Sequence, residues 1–424
     1  MSLSTDEQLS ILMDLNKLSY SPPIDGSMIT QSRLRKYAFQ PLNYDSGQTA
    51  QLTINSGSDF ISGPSSFIRA DLSFKGTAGQ TLKWNAAAGG PGSAFNIFSE
   101  FQISHRSGDV LDRTDRINVL VGVLVKYASV DYSQNISGLF DYGSSANLPI
   151  GAGGAYGVTV PYVFPLFMFS GLFAQKSLIP SQILAGSTCK MQLEDKLTAM
   201  VHSAGNLVGD YKVTNMYLVL HSSQLFDVGL KQLLSQAANV RTQGLQFPYY
   251  SWFHLATQES SANLNFDINY SAAKSQILLI KARTTANLTT KNLDSMASKN
   301  YDYSKWRMRI GALTMPEYEI DAARESYCVT VQSMGEAQDC DLNQKNYNKT
   351  GASYAEYAGS HAIVAQSLEK STITSLNSGT VTNNSMLLNF TAVLNTFGAA
   401  VTYDAYLRHL RVCNAMLDNV VVDR

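Results

Sequence analysis

Charge is scarce in this chain. Of its 424 residues only 15% are Asp, Glu, Lys or Arg, and 32 basic against 33 acidic side chains leave a net charge of −1. That balance argues against a protein that coats nucleic acid through a basic surface, and it is low for a freely circulating monomer. It suits a surface that is largely neutral and packed against neighbours. Cysteine is sparse as well: Cys189, Cys328, Cys340 and Cys413 lie too far apart for the short gaps of zinc or redox sites, and they read as buried free thiols. Long apolar runs are missing, since residues 120–125 and 277–280 fall far short of the roughly 20 residues that span a bilayer. The N-terminus lacks a charged leader followed by an apolar core, so folding in a reducing, soluble compartment is expected.

Catalytic signatures are absent too. The sequence contains no P-loop, HExxH, CxxC or GxSxG pattern, and His105, His202, His221, His254, His361 and His409 are scattered, with no two at ligand spacing. The glycines at 151–157 do not follow GxGxxG and lead into a strand-like segment rather than a helix, so they read as a flexible loop. Glu317, Glu319 and Asp321 read as acids at a helix entry, favoured by the helix dipole, rather than as cation ligands. No enzyme, cofactor or metal site is expected.

What the chain has in plenty is the material of strands and long polar loops, including 22 Tyr and 18 Phe. Ile68, Ala70, Leu72 and Phe74 alternate with Phe67, Arg69, Asp71 and Ser73, which makes one buried and one polar face. Leu264, Phe266, Ile268 and Tyr270 repeat that period of two, and so do Met386, Leu388, Phe390, Ala392 and Leu394. Residues 162–173 read as a buried aromatic strand. A larger repeat sits above these. Residues 100–127 run from an alternating strand through a Gly-containing turn into an apolar helix opened by Asp112, Arg113, Asp115 and Arg116, and residues 306–334 run the same way.

The length suits two domains of about 200 residues each. With about eight strands per block and loops of unequal length, the expected fold is all-β: two consecutive eight-stranded jelly-roll barrels, a double jelly roll, with short helices between strands. The expected boundaries are an N-terminal arm and tether at 1–35, a first barrel with a bridging helix at 36–240, and a second barrel at 241–424. In the arm, Ser4 and Glu7 form a capping box, Leu9, Leu12 and Met13 fall at helical spacing, and Pro22-Pro23 ends the helix. Arg33, Arg35 and Lys36 follow in a stretch without a core period, read as an extended tether. These six residues, Leu9, Leu12, Met13, Arg33, Arg35 and Lys36, are the candidate assembly site. Three charges beside Tyr37 and Phe39 are too few to package a genome by neutralisation, so genome contact is expected to be slight or indirect.

Several segments carry a family resemblance. Arg307-Met308-Arg309-Ile310-Gly311 through Pro316 to Glu325-Ser326-Tyr327, then Ile363-Val364-Ala365-Gln366-Ser367-Leu368-Glu369-Lys370 with Ser378-Gly379-Thr380, resemble successive stretches of the second barrel of double jelly-roll major capsid proteins. Phe164-Pro165-Leu166, Gly171-Leu172-Phe173 and Leu178-Ile179-Pro180 resemble a passage of the first barrel. The likeness spans residues 36–424 and is to the adenovirus-hexon lineage of tailless icosahedral viruses, in its polinton-like, adintovirus and virophage versions. It implies homotrimers that imitate sixfold symmetry and tile an icosahedral shell. The partners it implies are the chain itself, penton or vertex proteins and minor capsid proteins, with an internal membrane left open. No tower insertions are evident, although the loops near 76–92, 135–157 and 287–305 are candidates for modest turrets. Two alternatives stand beside this reading: a coat protein with one jelly roll plus a protrusion, from a small RNA or single-stranded DNA virus, and a β-sandwich glycan-binding or adhesin protein.

Overall fold

The computed structural model describes residues 29–423 apart from 58, 78–80, 86–91, 129, 145, 176, 203–208, 226–244, 285–298, 338–351, 360, 370–378, 383–386, 397–399 and 416–419. The arm helix with Leu9, Leu12 and Met13, the bridging helix at 226–240, Cys340 and most of the loop at 287–305 lie outside the described residues.

Eight strands build the first barrel: β1 (Ile29–Ala38), β2 (Thr49–Thr53), β3 (Phe60–Lys75), β4 (Phe98–Ser104), β5 (Val110–Asp115), β6 (Val160–Pro165), β7 (Thr188–Leu193) and β8 (Asp210–Leu225). They pair antiparallel in two sheets, β1-β8-β3-β6 and β2-β7-β4-β5. The second barrel follows with β9 (Leu245–Glu259), β10 (Asn263–Ile268), β11 (Ala272–Thr284), β12 (Tyr303–Ile310), β13 (Leu313–Ile320), β14 (Val364–Ser367), β15 (Leu388–Leu394) and β16 (Val401–Ala415). Its sheets are β9-β16-β11-β14 and β10-β15-β12-β13. Adding eight to every strand number of the first barrel reproduces the second, and each is the two-sheet arrangement of a jelly roll. Short strands at Asn43–Asp45, Thr380–Thr382 and Val420–Asp423 extend the sheets, and Leu82–Trp84 pairs with Met200–His202. Helices fill the same gap in both barrels, between the fifth and sixth strands: α1 (Ile117–Tyr127) and α2 (Val130–Phe140) in the first, α3 (Ala323–Ala337) and α4 (Tyr354–Ala358) in the second.

The period of two decides which side chains enter each core. On β3, Ile68, Ala70, Leu72 and Phe74 are fully buried while Arg69 is exposed, and β10 and β15 alternate in the same way. Phe95, Phe98, Phe164 and Phe169 pack in the first core with ring centroids 4.7 to 5.9 Å apart. In the second, Phe390 lies against Phe266, Tyr303 and Trp306, and the indole N–H of Trp306 donates to Ser326 Oγ at 3.0 Å. Burying one such aromatic contributes on the order of 2 kcal/mol.

Several local expectations change. Residues 112–115 belong to strand β5, not to a helix entry: β4 turns back at Gly108, where φ is +96°, and Arg113 pairs across the hairpin with Glu100 and along the strand with Asp115. Glu317 and Glu319 likewise lie on β13, and Glu319 pairs with Lys305 at 2.7 Å and Arg307 at 3.7 Å. Cross-strand pairing therefore explains Glu319, and only Asp321 stands just ahead of a helix. Residues 162–173 are a strand only as far as Pro165, after which a short 3-10 turn at Leu166–Met168 begins. In the loop at 135–157, residues up to Phe140 belong to α2, and Phe140 is fully buried in the first core. Gly157 serves close packing there, because a Cβ at that position would lie 2.2 Å from the Pro149 carbonyl oxygen.

Candidate assembly interface

The two barrels meet along a seam built mainly by α1 and β5. Ile117, Val121 and Val125, spaced by four, point into the first core. Val119, Leu120, Val123 and Tyr127 form a second apolar stripe on the same helix, which packs on Ile277, Leu279, Ala365 and Tyr406. These last four lie on the outer face of the sheet β9-β16-β11-β14, where cross-strand pairing sets His254, Tyr406, Leu279 and Ala365 in one row. A helix apolar on both faces is what a position between two cores requires.

Polar contacts fix the register of this seam. Tyr406 OH donates to the Arg116 carbonyl at 2.9 Å, Tyr127 OH donates to the His361 carbonyl at 2.9 Å, and Lys126 Nζ reaches Glu356 at 2.6 Å. Beside them β5 lies against β9. Tyr249 OH donates to the Leu111 carbonyl, Arg411 donates to the Val110 carbonyl at 3.0 Å, and Ser251 Oγ donates to Asp112 at 2.5 Å. Gly171 touches the second barrel so closely that a Cβ there would sit 1.5 Å from the Tyr250 carbonyl oxygen.

Ionisable groups are buried along the seam and its flank. Loss of water pushes the Asp112 carboxyl above the usual range, while the Ser170 and Ser251 hydroxyls and the Arg411 charge pull it back. Burial works in the same direction on Asp404, but Arg283 at 2.5 Å and His254 at 2.9 Å outweigh it and hold that carboxyl at about 2. Burial lowers Lys281 to about 7, helped by Arg283 and opposed by Asp404. It lowers His361 to about 4, with Lys126 and Lys281 adding to the effect. This chemistry positions two barrels against each other. Among the described residues no group of three or more His, Cys, Asp or Glu could hold a metal ion, and no helix is long and apolar enough to cross a membrane.

Of the six residues singled out in the sequence, the structure describes Arg33, Arg35 and Lys36 and brings them together on β1. The stretch read as a tether is thus a barrel strand from Ile29, paired along its length with β8. Its core period was hidden because edge strand β1 has few apolar inward residues: Arg33 and Arg35 both pair with the buried Asp59, at 3.2 and 2.5 Å. Lys36 lies 3.5 Å from the centre of the Tyr217 ring, Tyr37 OH donates to the Asn55 carbonyl, and Phe39 is fully buried. Cys189 and Cys413 are buried free thiols pushed up to about 12 by burial, whereas Cys328 is half-buried.

No family model matches the chain, and no curated protein does. Among solved structures, the Faustovirus major capsid protein superimposes over 97% of this chain and 97% of its own with a TM-score of 0.64 at 8% identity. A quasi-atomic model of the PBCV-1 virus capsid covers 96% of this chain and 100% of its own with a TM-score of 0.60 at 10% identity. The Sputnik virophage structure covers 96% and 91% with a TM-score of 0.58 at 12% identity. Identities this low speak for the fold alone: the described residues form a double jelly roll, on the plan of these viral capsid structures.

Proposed function

We propose that this chain is a major capsid protein, a structural subunit of an icosahedral virion shell. The observation that carries the reading is the pair of barrels with one strand order, matched over 97% of the chain by a capsid protein of the same plan. Two similar barrels side by side give one subunit an elongated footprint, and three chains make a near-hexagonal block of six barrels that tiles flat facets. Its partners are further copies of itself, then vertex and minor capsid proteins, and an internal membrane where the virus has one. Genome contact is slight or indirect, since Arg33 and Arg35 are already engaged by Asp59. The role is structural rather than enzymatic, and assembly takes place inside the host cell. The domains are an arm at 1–28, a first barrel that begins at Ile29 with β1 and runs to 240, and a second barrel at 241–424. The arm, through Leu9, Leu12 and Met13, links trimers on the shell's inner side, with Arg33, Arg35 and Lys36 at its root.

Size-exclusion chromatography with light scattering tests the core of this reading. The expected mass is three times 46.3 kDa. A stable monomer that binds glycans would overturn it in favour of an adhesin. Removing residues 2–21 tests the arm: shells that still close with unchanged stability would remove its assembly role. A single jelly roll with a projecting domain predicts unlike halves, and the matching strand orders weigh against it.

A further inference from the structure

Strand pairing sets the start of β1 at Ile29 and the β4–β5 turn at Gly108 at the same end of the first barrel. In the second barrel, Ile268, Leu388 and Ile310 form one row next to the β12–β13 turn at Gly311. Arg411, near the end of β16, donates to the Val110 carbonyl just past Gly108, so both turns lie at one end of the chain. Residues 1–28, which precede β1 at this end, carry Asp6, Glu7, Asp14 and Asp25 against Lys17 alone, a net charge of −3. Without those four acids and one lysine, the totals of 33 and 32 fall to 29 acids and 31 bases, so the rest of the chain carries +2. An arm this acidic is repelled by phosphates, which turns it away from a genome and from anionic lipid. Its partner has to offer basic groups beside some apolar surface.

The second barrel has such a surface. On β12 the outward positions Lys305, Arg307 and Arg309 alternate with buried Trp306, Met308 and Ile310, a basic stripe that ends at the Gly311 turn beside Leu313, which is 54% exposed. Val393 and Thr391 of β15 lie next to Lys305 and Arg307. Glu319 engages Lys305 and Arg307, whereas Arg309 is exposed and makes no ion pair among the described residues. Asp267, in the same row beyond Asn389, is engaged by the Asn389 amide at 2.7 Å. The outward positions on β4 of the first barrel are Glu100, Gln102 and Ser104, so the stripe belongs to the second barrel. We infer that residues 4–19 of one chain dock on the Lys305-Arg307-Arg309 stripe of a second copy: Leu9, Leu12 and Met13 cover Leu313 and Val393, and the acids meet the bases. This rests on the capsid reading, in which the arm links copies, and names the surface the arm takes. The stripe of another copy is the one in reach, because β1 lies on the side of the first barrel away from the seam. Arg35 and Tyr37 bond to the Ser56 and Asn55 carbonyls on the β2 side, and β5, which makes the seam, is three strands across at about 4.8 Å each. Residues 20–28 span about 30 Å at full extension, a reach that serves an adjoining copy rather than the far face of the chain's own second barrel.

Carbodiimide coupling, which joins carboxylates to nearby lysines, tests the contact without any substitution. In an equal mixture of unlabelled and heavy-nitrogen protein assembled together, Lys305 should couple to Asp6, Glu7 or Asp14 in peptides of mixed label, while its coupling to Glu319, 2.7 Å away, stays within one label as the internal control. Chymotrypsin cleavage within residues 9–20 gives a second readout. It should run several-fold faster in K305E/R309E than in the unaltered protein, and R106E, exposed at the first-barrel turn, should leave it unchanged. Joining D6K/E7K/D14K to K305E/R309E should restore protection, because the charges are exchanged rather than lost. Coupling of Lys305 to Glu319 alone, arm peptides of a single label, or equal cleavage of K305E/R309E and the unaltered protein would overturn the docking surface and leave the capsid reading standing. Protection gained only on adding anionic phospholipid vesicles would overturn it in favour of lipid. A one-chain mass for the unaltered protein by light scattering would overturn both.

Discussion

Helices α1 and α3 follow the fifth strand of their barrels in the same way, yet they are chemically unlike. Helix α1 is apolar almost all round, interrupted by Asn118, Gly122 and Lys126. Helix α3 keeps Arg324 and Gln332 in solvent and buries Thr330, Val331, Ser333 and Met334. One plan thus produced two kinds of helix. The difference follows from place in the chain: α1 lies between two cores and must bury two faces, whereas α3 has a barrel on one side only. The same contrast separates β5, covered by β9, from β13, with Leu313 and Tyr318 in solvent.

The sharpest way to break this comparison is to place one charge on each helix. Leu120→Asp puts a carboxylate into the seam and is expected to cost about 4 kcal/mol or more, while Gln332→Asp on α3 changes stability by no more than about 0.5 kcal/mol. Denaturant titration of the two variants measures the gap, and equal losses would mean that α1 is not held between two cores. Gly171→Ala comes next. Its methyl meets the Tyr250 carbonyl, which cannot retreat without parting the barrels, so a loss of roughly 3 kcal/mol is expected. A denaturation midpoint unchanged in this variant would show that the seam has slack.

Acid should loosen the seam before it unfolds the cores. The folded His361 titrates at about 4, below its ordinary 6.5, so as pH falls through that interval the unfolded chain takes up the proton first and stability is lost. The loss is on the order of 2 kcal/mol after allowance for partial exposure. Asp404, held at about 2 against its ordinary 3.8, adds a further loss below about pH 4. Lys281 acts at the other end: folded at about 7 against 10.5, it adds stability as pH rises between those values. Thermal melts of His361→Gln across pH 4 to 6.5 should be flatter than those of the unaltered protein, and an identical slope would remove His361 as the cause. The smallest effect belongs to Lys126 and Glu356. A double-mutant cycle of Lys126→Met and Glu356→Gln should return a coupling of about 1 kcal/mol, reflecting the partial burial of the lysine.

Strands with a clean alternation were legible in the sequence, among them β3, β10 and β15, because one wet and one dry face impose a period of two. Edge strands were not: β1 reads as a tether because Arg33 and Arg35 meet a buried Asp59 from a part of the chain more than twenty residues away. The paired acids before each helix were misread for a related reason. Asp112 to Asp115 and Glu317 to Glu319 have the composition of helix entries, but hairpin pairing with β4 and β12 holds them extended. Of the seam, the sequence carried one clue, the apolar run of α1. It carried none for Tyr406, Gly171 or Asp112, whose roles depend on partners in the other barrel.

The sequence by itself determined the class of the molecule. Low charge, a period of two repeated in two blocks, and a strand, turn and helix found twice require two β barrels built on one plan, because local periodicity dictates which face is buried. Only the tertiary structure decided what the two copies do differently. Whether a fifth strand and its helix are covered or left open depends on which barrel follows in space, and no residue carries that information alone.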